Sequence, residues 1–165
     1  EITQGESMWM VISDSHDKVE KINKAMEIAK DHNVSMIFHM GDFVSPFAIL
    51  PFLKEEMKFI GIFGNNDGDR LLLQKRANGK IMKSPHWLDV EGKHMYLMHE
   101  PQALYSGIKS QLYDFIFFGH THRLTIKQYG KTLVINPGES CGYLTGKATC
   151  VLLDPKTSET RVIEL

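Results

Sequence analysis

The chain has 165 residues, 42% of them hydrophobic and 24% charged, with a formal net charge of −1 and a pI near 6.8. That length supports one domain with a substantial core, and the balanced charge leaves no footprint for nucleic acid or an anionic membrane surface. The longest apolar stretches fall well short of the roughly 20 residues that a membrane helix needs.

Residues 1–7 are polar and are read as a frayed or artificial extension, so that a single domain is expected over 8–165. A strand is predicted from Met8 and runs through Met10-Val11-Ile12 into Ser13-Asp14-Ser15-His16. Asp17 to Glu20 has the capping-box spacing, with Asp17 as the expected cap. Val19, Ile22, Met26 and Ala29 then recur at helical spacing to about Lys30. A strand over 34–40 delivers His39-Met40-Gly41-Asp42, and His39 is read as core or supporting packing. Ser45-Pro46 marks a helix start, with Ser45 as cap, and Pro51 keeps that helix short or kinked.

The strand over 58–63 leads into Gly64-Asn65-Asn66-Asp67. A helix over 70–77 follows and stops at Asn78-Gly79. Strands at 86–90 and 94–98 flank Glu91-Gly92-Lys93 as a hairpin and end at His99-Glu100. Pro101 opens a helix to about Gln111. The apolar run 115–118 ends in Gly119-His120-Thr121-His122, and two further hairpins are predicted at 124–135 and 147–165. Strands alternating with helices and then hairpins predict an α/β fold of two mixed sheets flanked by helices. Cys141 and Cys150 form no metal or disulfide pattern and are read as reduced thiols; with no secretory signal in view, a cytoplasmic location is expected.

Five apolar runs thus end in Asp14 and His16, Asp42, Asn65, His99, and His120 with His122. In open α/β sheets ligands gather outside the carboxyl ends of the strands. Imidazole, carboxylate and amide donors at those ends suit a divalent transition metal: Mn first, with Ni, Zn or Fe as alternatives. Seven ligands are too many for one catalytic ion and fit two ions that share a carboxylate.

The five motifs, in this order, resemble those of the calcineurin-like metallophosphoesterases. Gly41-Asp42-Phe43-Val44-Ser45 and Asn136-Pro137-Gly138-Glu139 resemble the small prokaryotic phosphodiesterase branch, which also includes the scaffold subunit of retromer. The resemblance implies a four-layer α-β-β-α sandwich. It implies Asp14, His16 and His122 on a first metal, Asn65, His99 and His120 on a second, and Asp42 bridging. The implied reaction is hydrolysis of a small phosphate ester, a diester above all, by a hydroxide bridging the two ions. Asp42, Asn65 and Asp67 are the expected catalytic residues, Asp67 being read either as a helix cap or as a group that orients the site. Asn66 and Glu100 are expected to meet substrate. Asn66 stands where larger members often carry a proton-donating His, so activated aryl esters should be cleaved best. Glu100 stands where a Gly is usual. The alternative is a catalytically silent scaffold of the same fold, and a homo-oligomer is compatible with the resemblance.

Overall fold

The structure, a computed structural model, describes residues 7–54 and 56–165. All but Ser7 of the expected N-terminal extension lies outside them. Six strands form one sheet in the order β11-β10-β1-β2-β3-β4, and five form a second in the order β5-β6-β7-β9-β8. In the first sheet β1 (Met8–Ile12), β2 (Val34–His39), β3 (Lys58–Ile62) and β4 (Ile81–Met82) run parallel, as the helical crossovers require. The hairpin β10 (Thr149–Leu153)/β11 (Thr160–Glu164) closes its other side antiparallel to β1.

All three expected hairpins form, but the second sheet is not a simple set of antiparallel pairs. β5 (His86–Val90) pairs with β6 (Lys93–Leu97), and β8 (Thr125–Tyr129) with β9 (Thr132–Asn136). Between them β6, β7 (Phe115–Phe117) and β9 run parallel. β9 turns back from β8 to pair beside β7, so its carboxyl end reaches the same edge as those of β6 and β7.

Alternation along the strands sorts side chains into three apolar clusters. Trp9, Val11, Phe38, Leu97, Phe117, Ile135 and Val151 fill the space between the sheets. There Trp9 meets Phe38 and Phe115 edge-on, with centroids 5.1 and 5.8 Å apart. Met10, Ile12 and Ile37 face outward onto α1 (Val19–Asp31), α2 (Leu50–Leu53) and α3 (Arg70–Arg76), which contribute Ile22, Met26, Phe52 and Leu73. The far face of the second sheet carries Ile116 and Val134 beneath α4 (Leu104–Ser110). The layers are therefore α-β-β-α.

Two capping expectations fail together. Lys18, not Asp17, precedes α1, and no side chain caps that helix. Asp17 instead accepts from the Ser45 amide at 2.9 Å and the Ser45 hydroxyl at 2.7 Å. Ser45 is thereby spent too, and the Pro46–Ile49 turn that follows it is a 3-10 helix without a side-chain cap. Local spacing lost to a bond between the turns after β1 and β2. α3 is capped by Asp69, whose carboxylate accepts from the Leu72 amide, so Asp67 is not its cap.

Candidate metal centre

The carboxyl ends of β1, β2, β3, β6 and β7 deliver the seven predicted ligands to one edge of the sandwich. Asp14, His16, Asp42, His120 and His122 all take positive φ, between 39° and 64°. That region is disfavoured for residues with a Cβ, at about 1–3 kcal/mol each, and persists where surrounding structure demands it. Tight turns off each strand here aim the side chains back across the sheet ends. The motif glycines allow the approach: a Cβ on Gly64 would stand 2.2 Å from Asp42 Oδ1, and one on Gly119 the same distance from Ser13 Oγ.

The ligands meet in two groups around Asp42. Asp42 Oδ2 lies 3.3 Å from His16 Nε2 and 3.5 Å from His99 Nε2. Asp14 Oδ1 is 3.3 Å from His122 Nε2 and 3.8 Å from His16 Nε2. On the other side Asn65 Oδ1 is 2.9 Å from His99 Nε2 and 3.1 Å from His120 Nδ1.

The donor chemistry fits cations. His99 Nδ1 donates to the Met40 carbonyl at 2.6 Å, so the neutral ring turns a bare Nε2 lone pair toward two oxygens. His122 Nδ1 is paired with Glu139 at 2.5 Å, so its Nε2 likewise faces Asp14 as a lone pair. Asp14 Oδ1 and His16 Nε2 are buried without a hydrogen-bond partner. Lone pairs aimed at one another need a positive ion between them, either a proton or a metal. Asp14, His16, Asp42 and His122 all place one donor atom within 4.8 Å of the rest, a spacing that one ion can bridge.

Ionisation follows the same geometry. The neighbouring Asp14 carboxylate, with Asp42 behind it, raises the His16 pKa above its ordinary value against the cost of burial. Burial lowers that of His99, but the Asp42 and Asp14 carboxylates and the Met40 carbonyl together outweigh it and the net shift is upward. Burial also disfavours the Asp42 carboxylate, yet His99 and two donors from Asn66 hold it well below the usual carboxylate range.

The remaining predicted residues make definite contacts around these ligands. Asn66 donates through its amide nitrogen to Asp42 Oδ2 at 2.8 Å and through its backbone to Oδ1 at 2.9 Å, so it orients the Asp42 carboxylate. Asp67 is buried, and its carboxylate accepts from the backbone N–H groups of Asp42, Gly64 and Val44 at 2.7–3.0 Å. It is a positioning residue that ties the β2 turn to the β3 turn. Burial raises its pKa despite those bonds. Glu100 is exposed beside His99 and makes no hydrogen bond or ion pair among the described residues. His39 is buried, stacks on Phe43 at 3.9 Å, and bonds to Ser15 and to the Gly41 amide, as a supporting residue should.

Glu139, which the resemblance includes in a motif without a role, supports His122. It is fully buried at the turn after β9. One oxygen holds His122; the other accepts from the Leu144 and Thr145 amides and the Thr145 hydroxyl. The cost of burial is more than offset by these donors, and its pKa is lowered. Its signal was the Asn136-Pro137-Gly138 turn after a sixth apolar strand. Cys141 lies near it, and burial pushes that thiol up to about 11. Both cysteines are free and buried. Among the described residues no helix is long and apolar enough to cross a membrane.

Known proteins agree with this architecture. The model of the calcineurin-like phosphoesterase superfamily domain matches residues 8–158. Phosphodiesterase MJ0936 of Methanocaldococcus jannaschii is 40% identical over 161 residues, covering 94% of this chain and 97% of that protein. A solved structure described as a novel archaeal phosphodiesterase superposes with a TM-score of 0.89 at 38% identity, over 96% of this chain and 99% of its own. Vps29 of Chaetomium thermophilum shares the fold at 13% identity, with a TM-score of 0.70 over 96% of this chain and 94% of its own. On that domain match and that near full-length identity, this chain belongs to the calcineurin-like phosphoesterase superfamily.

Proposed function

We propose that residues 8–165 act as one two-metal phosphodiesterase domain. The observation that carries this reading is that a single oxygen, Asp42 Oδ2, lies between His16 and His99, one from each ligand group. Asp14, His16 and His122 would hold the first ion, Asn65, His99 and His120 the second, and Asp42 would bridge. The donor set suits Mn²⁺, with Ni²⁺, Zn²⁺ or Fe²⁺ as alternatives. When bound, such a pair neutralises charge growing on phosphoryl oxygens and lowers the pKa of water.

The chain's own residues prepare that chemistry. Asn66 fixes the rotation of the Asp42 carboxylate. Glu139 and the Met40 carbonyl keep protons on the Nδ1 atoms of His122 and His99, so that both present Nε2 to the site. Asn66 has no proton to give a leaving group, which favours esters whose alcohol leaves unaided, such as aryl diesters. The similarity to a phosphodiesterase over almost the whole chain supports a diester substrate. Two free thiols support a reducing, cytoplasmic setting.

Purified protein loaded with Mn²⁺ should hydrolyse bis-p-nitrophenyl phosphate, and Asp42→Asn should lose both bound metal and activity. No hydrolysis with either Mn²⁺ or Ni²⁺ would sink the enzymatic reading and leave the scaffold alternative. Retention of two ions by Asp42→Asn would contradict the bridge.

A further inference from the structure

A cavity of about 140 Å³ opens directly beside the second ligand group, with Asn65 and His99 in its wall. Arg70, Lys83, Ser84, Glu100 and Gln102 complete its polar lining. Its volume is about half the lower end of the range for pockets that swallow a whole drug-sized ligand, so it takes one functional group. Arg70 is fixed: Nε and Nη2 donate to the Asp67 and Gly64 carbonyls at 3.1 Å, and the guanidinium lies 5.2 Å from the centre of the Phe63 ring. A guanidinium has five N–H donors, so three remain for a ligand. Lys83 is exposed and has no hydrogen bond or ion pair among the described residues. One carboxylate, Glu100, faces these two cations.

We propose that this cavity binds a second anionic group on the substrate, so that the preferred substrates are phosphodiesters with a phosphate on one ester arm. The inference rests on the phosphodiesterase reading for the position of the scissile group. A phosphoryl centre seated against Asn65 and His99 directs one ester arm into the cavity, where a rigid guanidinium and a mobile ammonium can clamp a phosphate. The two cations outnumber Glu100. The carboxylate instead narrows the choice, because it repels an anion that does not reach Arg70 and Lys83.

Binding and turnover can be separated. Calorimetry with the Mn²⁺-loaded protein should show thymidine 3′,5′-bisphosphate binding about 10-fold tighter than thymidine 5′-phosphate, a ratio set by one charge-assisted clamp. Lys83→Glu should collapse that ratio to about one, and Lys83→Gln should lower it partway; Glu100→Gln should raise it. In kinetics, p-nitrophenyl thymidine 5′-phosphate with a 3′-phosphate should have a higher kcat/KM than the ester without it. Equal affinity for the two thymidine ligands, or a ratio untouched by Lys83→Glu, would overturn the proposal even in an active enzyme. So would tighter binding of the 3′-amino analogue, which would make Glu100 the governing group. A protein that binds the bisphosphate preferentially yet fails to cleave bis-p-nitrophenyl phosphate would keep this cavity and lose the enzymatic reading.

Discussion

At the scale of single residues, the site is organised by hydrogen bonds that settle which atom of each side chain is free. His122 illustrates the point. Its Nδ1 is engaged by a buried carboxylate, which both fixes the ring and makes Nε2 a better donor. Glu139→Gln keeps the shape but removes the charge, and Mn²⁺ affinity should fall about 10–100-fold by metal titration, the usual scale for such partners. Unchanged affinity would mean that Glu139 serves only the Leu144–Thr145 loop. Asn66 and Asp67 show the converse. Both stand in the motif as candidate actors, yet one orients Asp42 and the other binds backbone.

At the scale of elements, the turns after β2 and β3 behave as one unit because Asp67 bonds across them. Asp67→Ala would leave the buried Asp42 and Gly64 amides and the part-buried Val44 amide without their acceptor. An unsatisfied buried donor costs about 1–3 kcal/mol, so a loss of 3 kcal/mol or more is expected from urea unfolding. Metal affinity should drop with it, since Asp42 and Asn65 are carried on those turns. A change below about 1 kcal/mol would show that water replaces the carboxylate. The helix starts teach the same lesson: Asp17 and Ser45 have capping chemistry, but they bond to each other across turns.

At the scale of the whole molecule, His39 links acidity to stability. Burial lowers its pKa from 6.5 to about 3, and the charge of the nearby His99 acts in the same direction. The folded pKa lies below the unfolded one, so the stabilising difference is complete above pH 6.5 and is lost as pH falls toward 3. Metal-free protein should therefore lose roughly 3 kcal/mol between pH 6.5 and pH 4 from this residue. NMR of the folded protein at pH 5 should show His39 neutral; a midpoint near 6 would refute this account.

Much of this protein was legible in one dimension. Apolar runs that each end in Asp, His or Asn declare strand ends and donor chemistry together, because a buried strand must be apolar and a ligand must sit where it stops. Those runs carried the candidate ligands, while turn residues gave the hairpins and strand–helix alternation the α/β class. The two-residue β4 was too short for any periodicity to show. The parallel placement of β9 beside β7 was equally hidden, since a hairpin signal says which strands are joined and nothing of their outer neighbours. Only the tertiary structure decided that Glu139 stands behind His122, that Asp67 and Asn66 support Asp42, and that Arg70 and Lys83 share a cavity with His99. Periodicity reports which face of an element is buried; the partner of a polar atom is set by residues distant in sequence, and packing alone brings them together.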